Sequence, residues 1–306
     1  MSTSMPDLQR KMRTASDLKS VVRTMKAMAA ASITQYENAV LSLDDYYRTV
    51  QLALSACFSD TTVHGLATSS PSYHFPQRQK AHKKTQNIGA IVFGSDQGLV
   101  GQFNDTLANF VTQELASYQG HKHYWAVGER IQARLSETKL IAERSFALPN
   151  TLDSITPLVA ELLLETYKKQ ELGEIEQIYL FYNQPKSKAS YFPVCQKLLP
   201  LDRQWQHKLQ TTKWPTTKLP QLLNSPNTTL RALVHEYLFV SIFRACSGSL
   251  ASENASRLVA MQRAEKNIEE LQDKLQRSYH YQRQSSIDEE LFDLVGGFEA
   301  LTELNE

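Results

Sequence analysis

Residues 18–53 read LKSVVRTMKAMAAASITQYENAVLSLDDYYRTVQLA, a stretch with neither proline nor glycine. Within it Leu18, Val22, Met25, Ala29, Ser32, Tyr36, Ala39, Leu43, Tyr46, Val50 and Ala53 recur by alternating fours and threes. A 3.5-residue period held for about five heptads predicts a coiled-coil seam. Its small or polar members, Ala29, Ser32, Ala39 and Ala53, predict close approach to one partner helix rather than a thick leucine zipper. The uninterrupted run reaches from Pro6 to Gly65, and Ser4 with Asp7, three apart around Pro6, marks its start as a capped first turn.

The partner is expected at the far end of the chain. No proline follows Pro226, and Gly248 is the one glycine between there and Gly296. Leu258, Met261, Ile268, Leu271, Leu275, Tyr279, Ile287, Leu291, Leu294 and Phe298 form a stripe of mostly three-and-four spacing, and Gly296 with Gly297 is expected to stop the helix. Roughly 68 residues at 1.5 Å each would reach about 100 Å, far beyond a helix of ordinary globular length. An antiparallel intramolecular coiled coil of the two terminal helices is the economical arrangement.

Between the helices the texture changes. Residues 59–86 are rich in Ser, Thr, His and Pro, carry Arg78, Lys80, Lys83 and Lys84, and read as a solvated linker. Strand-like runs follow at Ile88–Phe93, Tyr124–Val127, Ile141–Phe146, Ile175–Tyr182 and Val194–Leu201, with helical patterns at Thr106–Ser117, Glu129–Ser136 and Ile155–Lys169. This alternation predicts a central α/β, Rossmann-like layer domain with a mostly parallel sheet. Pro215, Pro220 and Pro226 mark a loop back to the second long helix. The expected organisation is an N-terminal coiled-coil helix (1–58), a linker (59–86), an α/β foot domain (87–228) and a C-terminal coiled-coil helix (229–306).

Bulk properties narrow the function classes. With 33 basic and 32 acidic residues the net charge is +1, which gives no global attraction to nucleic acid or a membrane surface. No run approaches the roughly 20 apolar residues that span a bilayer, so a membrane role would be peripheral. Cys57, Cys195 and Cys246 are odd in number and far apart, which suits reduced thiols. The basic early residues imitate a targeting sequence, but an amphipathic pattern running past residue 50 argues for mature structure. Charge is unevenly placed. Leu8 to Met28 holds six basic residues (Arg10, Lys11, Arg13, Lys19, Arg23, Lys26) against Asp17, while Tyr281 to Glu306 holds seven acidic residues against Arg283. Either these faces are simply solvated, or the basic end is a collar that meets acidic loops of a partner.

Chemical motifs are sparse. Gly94, Gly98 and Gly101 lie in a strand-to-helix turn but fall as GxxxGxxG, neither a dinucleotide fingerprint nor a P-loop, and no Walker lysine accompanies them. Tight turning and close packing are the expected roles. His121 and His123 could hold a metal only with further ligands that the sequence does not show, and are expected to face solvent. No GxSxG or HExxH occurs.

Three regions carry a family resemblance, the C-terminal one in two stretches. Leu250–Met261 (LASENASRLVAM) resembles SLASEHAARMVAM of the gamma family of F-type ATP synthases, and the residues from Leu275 to Gly297 resemble its LxxxYNKARQASIT and ELxEIVxGA segments. Val21–Ala30 is similar to ITKAMKMVAA, and Ser95–Asn104 to SDRGLCGGFN. Gln97, Val100, Gln102 and the pair His280–Tyr281 depart from these patterns and mark a divergent branch. The resemblance implies a non-catalytic central shaft without a cofactor or metal of its own. It would turn within a hexamer of alpha and beta subunits, with a foot holding the epsilon subunit and the c-subunit ring. It implies a peripheral place on the cytoplasmic side of a bacterial inner membrane, and partner contacts at Met25, Lys26, Arg257, Arg283 and Gln284. A coiled-coil adaptor of another assembly and a nucleotide-dependent oxidoreductase built on the α/β domain are the other readings.

Overall fold

A computed structural model describes residues 4–59, 87–186, 190–201, 205, 209, 214–216 and 225–303. The linker read at 59–86 therefore lies almost wholly outside the described residues, as does most of the loop after Leu201.

Helix α1 spans Met5–Ser59. Ser4 Oγ donates to Asp7 at 2.8 Å, and Leu8 N–H reaches the Ser4 carbonyl, so the first turn is closed by the expected pair. The last helix, α5, spans Pro226–Glu303 and runs straight through Gly296 and Gly297. The expected stop is thus corrected: each glycine costs a helix about 1 kcal/mol relative to alanine, which weakens it locally without ending it. Between them come β1 (Ile88–Phe93), α2 (Phe103–Ala116), β2 (Lys122–Val127), α3 (Glu129–Glu137), β3 (Arg144–Phe146), α4 (Ile155–Glu171), β4 (Gln177–Pro185) and β5 (Tyr191–Leu199). By compactness the chain divides into two units, Met1–Ala29 with Leu258–Glu306, and Ala30–Arg257.

In the first unit the two long helices are antiparallel. Gln9 Nε2 donates to Tyr279 Oη at 3.0 Å, Lys19 pairs with Glu269 at 3.0 Å, and Arg23 Nε donates to Glu265 at 2.8 Å. The shielded positions include the run Leu8, Met12, Ala15, Lys19, Val22, Lys26 and Ala29 on α1, with Met25 beside it, and the run Met261, Glu265, Ile268, Gln272, Leu275 and Tyr279 on α5, with Ala264 beside it. Both sets alternate fours and threes, but the α1 seam passes Leu18 by, which is 50% exposed, and takes Lys19 in its place; on α5 it takes Gln272 rather than Leu271. A lysine can occupy a seam when its stem packs and its ammonium reaches an acidic partner, as Lys19 does with Glu269.

The second unit is a three-layer α/β domain. Its sheet has the order β3-β2-β1-β4-β5, with every pairing parallel except the antiparallel edge β4–β5. Ile88, Ala90 and Val92 of β1, with Tyr179 and Phe181 of β4, pack against Leu107 and Val111 of α2 and Ile131 and Leu135 of α3. The opposite side of the same strands, Ile91 and Phe93 with Ile178 and Leu180, packs against α4 and against Leu54 and Phe58 of α1 and Leu238, Ile242 and Leu250 of α5. Burial on both faces explains why β1 is apolar throughout instead of alternating. Helix α5 enters this unit as part of the core. Tyr47 stacks on Tyr237 at 5.6 Å, and the Arg244 guanidinium lies over the Tyr47 ring at 4.4 Å while pairing with Asp44. Among the described residues no helix is long and apolar enough to cross a membrane.

Candidate functional site

In a sheet of this order the chain reverses direction between β1 and β4, and the crevice beyond their carboxyl ends is where open α/β sheets bind ligands. Here that crevice is occupied by the chain itself. Residues 245–255 of α5, ACSGSLASENA, are buried on every side, and their small side chains let the helix come close to the strand ends. Ser249 Oγ donates to the Phe93 carbonyl at the end of β1 (3.0 Å), and Ser252 Oγ to the Asn183 carbonyl in β4 (2.9 Å). One turn on, Ser256 Oγ donates to the Val100 carbonyl in the loop after β1 (2.6 Å). Spacings of three and four place the three hydroxyls on one helix face. They form a latch that fastens the helix to the backbone of two strands and a loop.

That loop is built to be rigid. Asp96 accepts two backbone N–H groups, Glu129 at 3.0 Å and Leu148 at 2.9 Å, tying the loop to the start of α3 and the segment after β3. Ser95 N–H donates to Asn104 Oδ1, and Asn104 Nδ2 returns a bond to Ser95 Oγ. Asn183 Nδ2 donates to the Phe103 carbonyl. A Cβ at Gly94 would lie 2.1 Å from Cβ of Ile131, so this glycine is required by the approach of α3; Gly101 has φ +59, the left-handed region. The expected packing and turning roles hold at these two positions. At Gly98 a Cβ would meet only Arg130 at 3.9 Å, and packing demands no glycine there.

Beside the latch sits a buried carboxylate. Burial pushes Glu253 up to about 7, against the pull of Arg257, whose Nη2 donates to it, while the Asp96 charge pushes it further up. Arg257 Nη1 also donates to Asn254 Oδ1 at 3.2 Å. Nothing here resembles an activated nucleophile. Burial pushes the Cys195 thiol up to about 12, with Glu114 adding to it, and pushes Cys246 up as well.

The residues singled out from the sequence are not brought to one place. Lys26 is half-buried and bonded to Glu265, which also receives Arg23. Those hydrogen bonds, that of Lys26 first, hold the Glu265 carboxyl down to about 2. Of the six basic residues read as a collar, Lys19, Arg23 and Lys26 are answered within the chain; Arg10, Lys11 and Arg13 have no ion-pair partner among the described residues. Met25 is half-buried near the seam, Arg257 is turned to Glu253, and Arg283 and Gln284 are exposed on α5. The antiparallel register is fixed by the pairs 9–279, 19–269 and 23–265, which each sum to 288 and set Met25 level with residue 263. His123, expected at the surface, is buried at 7% exposure against Glu143. The latch serines were within the quoted LASENASRLVAM region or just before it, and their shared face was the signal that could have found them.

The crevice of the sheet is thus filled by the chain's own last helix, which runs on as one element to Glu303. The family model for ATP synthase matches residues 4–301, and the chain belongs to that family. Proteins named ATP synthase gamma chain are similar along their whole length. That of Heliobacterium modesticaldum is 27% identical over 97% of this chain and 99% of its own, and that of Ruminiclostridium cellulolyticum 24% identical over 98% and 100%. Two solved structures share the fold. In the Tetrahymena thermophila mitochondrial ATP synthase central stalk and c-ring the TM-score is 0.52 at 19% identity, covering 80% of this chain and 99% of that one. In the Euglena gracilis mitochondrial ATP synthase assembly of OSCP, F1 and c-ring it is 0.53 at 16% identity, covering 89% and 95%.

Proposed function

We propose that this chain is the central-stalk rotor subunit of an F-type ATP synthase, coupling ion flow through a membrane sector to ATP synthesis or hydrolysis in a catalytic hexamer. The observation that carries the reading is the latch: α5 is fixed to the α/β domain by hydroxyl-to-backbone bonds at Ser249, Ser252 and Ser256 and then continues unbroken to Glu303. The part of α5 fastened in the α/β domain therefore turns with that domain, and in this reading the rest of the helix carries the rotation onward. An asymmetric shaft makes different contacts with each of its surrounding catalytic subunits, and differential contact is what biases a subunit among its conformations.

In this reading the alpha and beta subunits surround the paired helices, and the α/β domain holds the epsilon subunit and the c-ring. The whole lies peripherally on the cytoplasmic face of a bacterial inner membrane. Arg283 and Gln284, exposed on α5, make polar contacts with the hexamer, while Met25, Lys26 and Arg257 serve the shaft, Lys26 through its bond to Glu265. From residue 283 to residue 296 α5 is exposed on all sides, including Ile287, Leu291 and Leu294, an apolar face of the kind that marks an interaction surface.

The test is reconstitution. The purified full chain is expected to hydrolyse no ATP, and its addition to alpha and beta subunits of a similar bacterial enzyme to yield a soluble ATPase. Turnover by the lone chain, or subunits left equally inactive with and without it, would overturn the proposal.

A further inference from the structure

At the opposite end of the strands from the crevice, where β2 begins, is a cluster that a rotor role does not use. His121 and His123 flank Lys122, and alternate strand residues share a face; Lys122 itself turns away to donate to the Leu115 carbonyl. The two imidazoles meet with His121 Nδ1 3.2 Å from His123 Nε2. On its other side His123 Nδ1 donates to Glu143 Oε1 at 2.5 Å, and Lys169 holds the second Glu143 oxygen at 3.1 Å.

This arrangement has the parts of a metal site. Because Glu143 is the acceptor for the Nδ1 proton, His123 is fixed in the tautomer whose Nε2 carries a lone pair, the carboxylate–histidine pairing that orients metal-bound imidazoles elsewhere. Lys169 and His123 between them bond both oxygens of the Glu143 carboxyl and so fix its orientation. A tetrahedral ion with metal–nitrogen bonds of about 2.0–2.1 Å places two ligand nitrogens roughly 3.3 Å apart, close to the separation already present. His121 is exposed, so water can complete the coordination. The ligand atoms of His121, His123 and Glu143 all lie within 4.8 Å of one another.

We propose that His121 and His123 form a surface site for a divalent transition ion of the zinc, copper or nickel class, oriented by Glu143. Imidazole donors select these ions over magnesium and calcium, which prefer oxygen. A bound ion would replace the proton now shared between the two rings.

Isothermal titration of the chelator-treated full chain with zinc chloride is the test, with magnesium chloride as the contrast. About one equivalent of zinc is expected to bind, with no measurable magnesium binding. His121→Ala, at an exposed ring, removes a ligand without opening the core and should lower zinc affinity at least tenfold. Glu143→Gln keeps both ligands and should lower it by about tenfold, the lower end of outer-shell effects. Copper loaded into the same chain should show nitrogen hyperfine structure in its electron paramagnetic resonance spectrum, lost in His121→Ala. Absence of zinc binding, or equal zinc affinity in the parent and His121→Ala, overturns the proposal and leaves the cluster as a hydrogen-bonded chain from Lys169 to His121.

Discussion

Replacing Ser249 and Ser252 together by alanine unfastens α5 from β1 and β4 while leaving helix propensity unharmed, since alanine is the better helix former. Each lost bond removes about 1 kcal/mol net, and a carbonyl left unpaired in dry surroundings adds to that, so each site is worth about 1–2 kcal/mol. Both hydroxyls are fully buried, so water offers little compensation. The sites lie one turn apart and share a packing environment, so the pair is expected to cost about 2–3 kcal/mol rather than a strict sum. Urea unfolding of the full chain followed by the fluorescence of Trp125, buried in the same core, reads this directly. With slopes of about 1–3 kcal/mol per molar urea, the midpoint should fall by about 0.7–3 M. Ser278→Ala, on an exposed turn of α5, should leave the midpoint unchanged. If the double variant unfolds within about 0.5 kcal/mol of its parent, the hydroxyls do not hold the joint and the latch argument fails.

Gly94→Ala should be costly out of proportion to one methyl group, because the added carbon meets Cβ of Ile131 at 2.1 Å and the helix must shift; about 3 kcal/mol is expected, and an unchanged melting temperature would show that the helix yields freely. Acid should loosen the helix pair through Glu265: its folded value, about 2, lies below the ordinary 4.5, so its contribution is fully present above pH 4.5 and is lost as pH falls towards 2. Glu265→Gln should flatten the far-UV circular dichroism response across that window, and superimposable titrations of variant and parent would refute the assignment.

Much of the fold was legible because it rests on period and punctuation. The four-and-three spacing gave both long helices, and an apolar β1 followed by helical patterns gave the parallel sheet. The antiparallel edge β5 follows from β4 by a short connection, which an apolar run alone does not reveal. The seam was misplaced by one residue at Leu18 because the reading followed hydrophobic letters. The shielded position belongs to Lys19, whose suitability depends on Glu269, far away in sequence. Within the basic run, Arg23 and Lys26 are answered by Glu265 on the second helix, a pairing hidden from the sequence for the same reason. His123 was read as exposed because its carboxylate partner lies twenty positions on, brought near only by the pairing of β2 with β3. Tertiary partners decide such residues, and no local window contains them.

The latch joins side chains on one element to carbonyl oxygens on the others. Every residue type presents the same carbonyl, so the three positions that receive α5, Phe93, Val100 and Asn183, hold the helix through groups that substitution cannot alter. The donors have no such freedom, because only a short hydroxyl fits between closely approaching backbones. The fastening is therefore written on one side only. Strand ends can drift in sequence while the attachment angle stays fixed, whereas the helix must keep its serines at 249, 252 and 256.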